Sequence, residues 1–270
     1  IVSTERILTL LDSTDYIQNN GTIHADHIEG KIEFSDVTFA YQEPEWVVKN
    51  VSFTVEAGKT CAIVGATGAG KSSIIGLLGR LYDCQSGEIN IDGVPLTSYE
   101  IGSLRKNIAV VLQDVFLFSS SIAYNIHLGD ESITQDKMVE AAKAVGVHDF
   151  ILSLPGGYDY EVKERGATLS VGQRQLISFV RALVHNPKII VLDEATSSVD
   201  SETEVLIQQA ISTLMKGRTA VVIAHRLSTI RNSDQILVMD KGEIKERGTQ
   251  DELLALDGLY AQLYHLQFRK

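Results

Sequence analysis

The sequence predicts an α/β fold: a buried parallel sheet, a β-rich stretch ahead of it and a helical insertion within it. Three observations lead there. The apolar runs "KIIVLDE", "TAVVIAH" and "QILVMD" recur between residues 188 and 240 with helical patterns between them, as strands buried on both faces do. Two earlier runs, "IEFSDVTFAY" and "VVKNVSFTVEAG", carry partial alternation of apolar and polar positions. From about residue 119 to 186 helical patterns dominate.

Residues 3–12 read as a short amphipathic helix, with Ser3 as its cap and Ile7, Leu8 and Leu11 on one side. A polar stretch over roughly 13–30, with the turn signal Asn19-Asn20-Gly21, reads as a linker. Residues 1–30 are therefore expected to be a linking segment, and residues 31–270 one domain. "KTCAIVG" is a short apolar strand that runs into a glycine loop, and "SSIIGLLGRLY" after it is helical. "GEINIDGVPL" is strand-like around an Asp92-Gly93 turn, and "NIAVVLQ" is another apolar strand. "TQDKMVEAAKAV", "HDFILSL" and the residues after "LSVGQ" read as helices of the insertion. The tail "DELLALDGLYAQLYHLQFRK" reads as two closing helices.

The 270 residues suffice for one large domain or two modest ones. A formal net charge of −11 argues against a nucleic-acid surface, whose usual footprint is a basic stripe. Cys61 and Cys84 make no disulfide framework, read as ordinary thiols and fit a reducing compartment. No apolar run is long enough to span a bilayer, and no signal peptide is visible. The chain opens on Ile1 rather than Met, so it is expected to be a piece of a longer polypeptide whose other parts are free to carry membrane segments.

"GATGAGKSS" fits G-x-x-x-x-G-K-[ST] through Gly65, Gly70, Lys71 and Ser72. Glycines let the backbone wrap a phosphate with its N–H groups pointing inward, and the helix beginning at Lys71 adds its positive end. Gly65, Ala66, Thr67, Gly68, Ala69, Gly70, Lys71, Ser72 and Ser73 are thus the candidate phosphate cradle. Lys71 supplies charge to the β- and γ-phosphates, and the Ser72 hydroxyl ligates Mg²⁺. A glycine turn that merely joins two elements is disfavoured, because an apolar strand precedes the loop and a helix follows it. The run "KIIVLDE" then ends a buried strand in Asp193 and Glu194, and burying two acids is costly without a partner such as a metal ion. Asp193 is the candidate Mg²⁺ ligand, and Glu194 the group that orients and polarises an attacking water.

A second helix start, "LSVGQRQ" (Leu169 to Gln175), also has anion-binding features. Ser170 and Gln173 form an S-x-x-Q capping box, Gly172 admits a close ligand, and Leu176, Ile177, Val180, Leu183 and Val184 form an apolar face. By residue type alone this is either a plain cap on a core helix or an anion grip.

The two phosphate motifs together with "LSVGQ" resemble the nucleotide-binding domain of ABC transporters, in that family's order and spacing, from about residue 30 to the end. The resemblance implies a P-loop NTPase with a RecA-like core, an antiparallel β subdomain and an inserted α-helical subdomain at about 119–186. It implies that Tyr41, in "FAYQ", stacks on adenine. Gln113, in "VLQDVFLF", would touch Mg²⁺ and the attacking water and link the site to a membrane domain. His225, in "VIAHRLST", would be the switch histidine near the γ-phosphate, and "SSVD" (Ser197 to Asp200) resembles the loop that bridges two sites of a dimer. "LSVGQ" is similar to the family signature, usually LSGGQ. Through Ser170, Gly172 and Gln173 it would grip the γ-phosphate of ATP held by a second such domain, the two pairing head to tail around two Mg-ATP. Val171 departs from the usual glycine, while Ser170 and Gly172, on which the family's contacts mainly fall, are intact.

Three segments resemble exporters whose membrane and nucleotide domains share one chain: "STERILTLLD", the ending "GLYAQLYHLQF", and "KERG" at 163–166, similar to TEVGERG with Lys163 for its first glycine. The resemblance therefore implies an ATPase at the cytoplasmic face of a membrane, joined to membrane domains absent from this chain, with this part soluble by itself. An ATP-gated binding module with little hydrolysis is the alternative, against which Glu194 and His225 argue. A DNA-associated clamp of the SMC type is set aside, since no heptads and no basic patch lie between the motifs.

Overall fold

Alternation along the buried strands divides the chain between two cores. The computed structural model describes residues 5, 7, 8, 12, 17–163, 166–194, 200–224 and 226–268, with backbone alone at 201, 267 and 268. Strands β1 (Ile32–Ala40) and β2 (Trp46–Val55) pair antiparallel, and β3 (Thr60–Gly65) leads through the glycine loop to helix α1 (Lys71–Leu78). The hairpin of β4 (Ser86–Ile91) and β5 (Val94–Pro95) turns on Asp92-Gly93, both with positive φ. Helix α2 (Ile101–Asn107) and strand β6 (Ile108–Val111) precede four helices of the insertion: α3 (Ile122–His127), α4 (Gln135–Val145), α5 (His148–Ser153) and α6 (Val171–Val184). The chain then alternates through β7 (Ile189–Asp193), α7 (Ser201–Met215), β8 (Thr219–Ile223), α8 (Leu227–Arg231) and β9 (Gln235–Asp240). It closes with β10 (Glu243–Gly248), α9 (Gln250–Ala255) and α10 (Leu259–Phe268).

The four-stranded sheet has the order β2-β1-β4-β5 and is antiparallel. The six-stranded sheet has the order β10-β9-β3-β8-β7-β6, parallel except for β10 at one edge. In β3, β7, β8 and β9, alternate residues enter different cores. Cys61, Ile63, Ile189, Val191, Val221, Ile223, Leu237 and Met239 face α1 and the antiparallel sheet. Ala62, Val64, Ile190, Leu192, Ala220, Val222, Ile236 and Val238 face the helices of the insertion and the closing helices. The helix that starts at the phosphate loop is thus packed between two sheets.

Several elements differ from the sequence reading. Helix α1 stops at Gly79 rather than running on through "GRLY", because Arg80 takes φ 49° and turns the chain back. Its guanidinium is 2% exposed and donates to the carbonyls of Leu96, Tyr99 and Gln18 at 3.4, 3.2 and 3.0 Å. Such a buried cation needs these acceptors, and they fix the turn. Helix α2 was not legible. It is capped by Glu100, whose carboxylate accepts from the N–H groups of Gly102 and Ser103, and these bonds with Asn19 pull its pKa down to about 2. Residues 17–30 lie along this part of the domain. Thr22 and Ile23 donate to Ser98 O, Ala25 to Ser103 Oγ, and Glu29, Gly30 and Lys31 to the Asp92 carboxylate. In the expected N-terminal helix, Glu5, Ile7 and Leu8 are helical, and Ser3 and Leu11 lie outside the described residues.

Asn125 in α3 is fully buried and staples the insertion. Its amide oxygen accepts from Phe118 N–H at 2.7 Å, and its amide nitrogen donates to Phe118 O and Ser121 O at 3.0 Å each. Replacing it by alanine leaves Phe118 N–H without its partner, while Phe118 O and Ser121 O keep the N–H groups of Ser120 and Asn125, so Asn125→Ala is expected to cost about 1–3 kcal/mol of stability. Urea denaturation measures this, and an unshifted midpoint would contradict the staple.

Candidate functional site

The carboxyl edge of the parallel sheet collects the chemistry, as open α/β sheets do. The phosphate loop leaves the end of β3, Gln113 follows β6, Asp193 ends β7 and Glu194 follows it. Register fixes their relation: Val111 pairs with Leu192, and Asp193 with Ile223.

The loop must be glycine at two points. A Cβ on Gly65 would sit 2.2 Å from Met239 O, and one on Gly70 2.4 Å from Val47 O. Gly68 and Gly70 have φ 80° and 97°, in the left-handed region. Lys71 opens α1 with its side chain folded back over the loop, donating to Gly65 O at 2.8 Å and Ala66 O at 2.9 Å. Burial lowers its pKa, and the Asp193 charge opposes that shift. The hydroxyl of Ser72 donates to Asp193 Oδ2 at 3.4 Å, although the two are 121 residues apart and β8 lies between their strands.

These donors fit Mg²⁺. A hydroxyl and a carboxylate are hard oxygen ligands, and this ion is usually held by one or two protein groups with phosphates and waters completing the shell. No cluster of three or more His, Cys, Asp or Glu able to hold a metal exists among the described residues. Ser72 and Asp193 are the residues that would hold it.

Glu194 points elsewhere. It is 2% exposed, and its carboxylate accepts from Thr229 Oγ1 at 2.9 Å and from the Arg226 N–H at 3.3 Å. The Arg226 Nε lies 3.7 Å from it, while Nη1 reaches Glu204 at 3.0 Å. Thr229 and Arg226 were not anticipated. A helix between "TAVVIAH" and "QILVMD" was read from the sequence, but nothing in its residue types shows that it turns these groups towards Glu194. His225, beside them, lies outside the described residues, as do Ser197 to Val199. Asp200, the last of "SSVD", caps α7 by accepting from Thr203 N–H at 2.9 Å.

Tyr41 follows β1 and is 53% exposed, with its hydroxyl 3.1 Å from Ser73 Oγ on α1. Gln113 is exposed two residues beyond β6. The capping box at α6 is formed in both directions: Gln173 N–H donates to Ser170 Oγ at 3.2 Å, and Ser170 N–H to Gln173 Oε1 at 2.9 Å. Ser170 and Val171 are exposed and Gly172 is buried. Helix α6 packs against α3, α4, α7 and β6.

The ABC transporter family profile matches residues 48–197, more than half of the chain. The chain belongs to the ABC transporter family. It is an ATP-binding domain of the exporter type within this family of ATPases, with the P-loop NTPase fold. A probable multidrug resistance ABC transporter ATP-binding/permease protein of Bacillus subtilis is 50% identical over 266 residues, covering 98% of this chain and 39% of that protein. An ATP-dependent lipid A-core flippase of Haemophilus influenzae is 49% identical over 253 residues, covering 93% and 43%. The solved structure of a bacterial Atm1-family ABC exporter with ATP bound superposes with a TM-score of 0.90 at 39% identity, covering 100% of this chain and 47% of that one. The chain thus spans less than half the length of these ABC proteins.

Gly70→Ala tests the loop of this ABC domain. The added Cβ meets the Val47 carbonyl and forces a left-handed residue to bear a side chain. ATP binding is expected to weaken at least about tenfold, the equivalent of roughly 1.4 kcal/mol. Calorimetric titration reads this, and an unchanged Kd would mean that the loop reshapes freely.

Proposed function

We propose that this domain binds and hydrolyses Mg-ATP, pairs head to tail with a second nucleotide-binding domain around two nucleotides, and so drives export through membrane domains joined to it. One observation carries the reading: the Ser72 hydroxyl and Asp193 carboxylate meet at the foot of the loop that Lys71 closes. Mg²⁺ held by Ser72 and Asp193 with ATP would supply neutralisation of the phosphate charge. The loop N–H groups and Lys71 hold the phosphates, Tyr41 offers a ring to adenine, and Glu194 with Gln113 and His225 orients the attacking water.

Pairing is supported by the placement of the signature. Its cap is complete and Ser170 is exposed, so its grip suits a nucleotide on a second copy or a related half. Docking of membrane domains is supported at β6, an edge strand beside which Val110, Leu112, Phe116 and Leu128 stand exposed in one groove. No helix among the described residues is long and apolar enough to cross a membrane, so those domains belong to other parts of the transporter. We place the domain at the cytoplasmic face, where ATP is supplied. The multidrug and lipid A-core names of two relatives differ, and neither cargo is carried over to this chain.

The binding-module reading draws on the burial of Glu194 against Thr229 and Arg226. Glu194→Gln separates the two. On the hydrolysis reading, phosphate release falls at least about a hundredfold, as for loss of a general base, while ATP binding survives and the solution mass doubles with Mg-ATP. Wild-type turnover in that variant would remove Glu194 from the chemistry. A monomer that still binds ATP would point to a different partner chain. Lys71→Ala is expected to abolish tight ATP binding and turnover together, read by the same two assays.

A further inference from the structure

We infer that Tyr82 is a positioning residue for nucleotide binding, holding the Tyr41 ring in the plane from which it meets the base. The inference rests on the proposed stacking role of Tyr41. A ring that serves as a stacking platform needs an uncovered surface and a fixed plane. Tyr41 has the first, being 53% exposed. Three contacts provide the second. Phe39 meets it edge-on, with centroids 4.9 Å apart and planes at 80°. Tyr82 meets it in the same way at 5.1 Å and 84°. The hydroxyl is held 3.1 Å from Ser73 Oγ, on the helix that begins at the phosphate loop.

Of these three supports Tyr82 has no other evident duty. Phe39 is 2% exposed and belongs to the core, and Ser73 is 5% exposed in α1. Tyr82 is 43% exposed, so truncating it disturbs the core less than truncating Phe39 would. It is nevertheless placed with care. The turn at Arg80, held by a buried guanidinium, brings the chain back over α1. Leu81 N–H donates to Gly76 O at 2.8 Å, and the Tyr82 ring lies over Gly76, where a Cβ would touch it at 3.4 Å. Glycine inside a helix is unfavourable relative to alanine, and here it gives the ring its bed. Tyr82 also touches Phe39, at 5.4 Å, so the three rings form one cluster. Edge-to-face aromatic pairs are worth enough to change a binding constant by about three- to tenfold when one ring depends on the other.

The experiment is titration calorimetry on the 270-residue chain without Mg²⁺, so that bound ATP is not turned over, with ATP and inorganic tripolyphosphate as the two probes. Tyr82→Ala is expected to raise the Kd for ATP about three- to tenfold, leave that for tripolyphosphate unchanged, and be rescued by Tyr82→Phe. In a Tyr41→Ala background, Tyr82→Ala is expected to add nothing, because its effect runs through Tyr41. Equal weakening of tripolyphosphate, or a full additional loss in the Tyr41→Ala background, would overturn the inference and give Tyr82 a general structural role or a direct one. If Tyr41→Ala weakens ATP while Tyr82→Ala does not, the inference alone falls. If Tyr41→Ala changes nothing, the stacking role falls and the inference with it.

Discussion

Two backbone carbonyls, Val47 O from the antiparallel sheet and Met239 O from the parallel one, press on the phosphate loop, and the rest of the site depends on that squeeze. At 2.4 and 2.2 Å from where side chains would begin, they admit only glycine at positions 70 and 65. The loop is also bonded into both sheets. Gly242, in the β9–β10 turn, donates to Ala69 O at 3.1 Å and accepts from Lys49 N–H of β2 at 2.8 Å. The separation of the sheets is therefore set at the loop proposed to hold nucleotide phosphates, and α1 fills the space between them with Ile74, Ile75, Leu77 and Leu78. With α1 fixed in this way, Ser72 reaches over β8 to Asp193. A shift of either sheet would alter the loop before it altered anything else in the site.

The same geometry explains why two acids can sit side by side at the end of a buried strand. Successive residues of a strand point to opposite sides. Asp193 turns towards Ser72 on α1, and Glu194 turns towards Thr229 and Arg226 on the other side. The two carboxylates thus face different neighbours: the one faces α1 beside the loop, and the other is held by the segment that follows β8.

What was legible in the sequence was either local or doubly constrained. The capping box at Ser170 and Gln173 is an i, i+3 relation and needs no tertiary knowledge. Strands β3, β7 and β8 are buried on both faces, so every residue in them except the terminal Asp193 is apolar or small enough to betray the strand. Strand β10 was missed for the converse reason. "EIKERG" lies on the sheet edge, where charged side chains are the rule and leave no alternation to read. Helix α2 was missed because its cap is Glu100, and a glutamate becomes a cap only by bending back on Gly102 and Ser103. The partners of Glu194 come from 32 and 35 residues downstream, and the Arg80 clamp draws on Gln18 from 62 residues upstream. No periodicity encodes such pairings. They exist because a buried polar group must find a partner wherever the fold brings one.

Arg181 shows how the signature helix is tied to the edge of the sheet. It lies on α6, and its guanidinium donates to Asn125 O at 2.7 Å, Phe116 O at 3.2 Å and Asn125 Oδ1 at 3.4 Å. Phe116 lies three residues after Gln113, in the segment that leaves β6 along the exposed groove. Asn125 in turn fixes Phe118 through both of its backbone groups. The stretch from Gln113 to Phe118, helix α3 and the signature helix are thus joined through one cation and one buried amide. Arg181 is partly buried and its guanidinium stays charged although burial lowers its pKa, so breaking these bonds without replacement would strand a cation in a poor solvent. Helix α6 and the segment that follows Gln113 are therefore connected by bonds that are costly to break, through residues that stand 11 and 3 positions beyond Ser170 and Gln113.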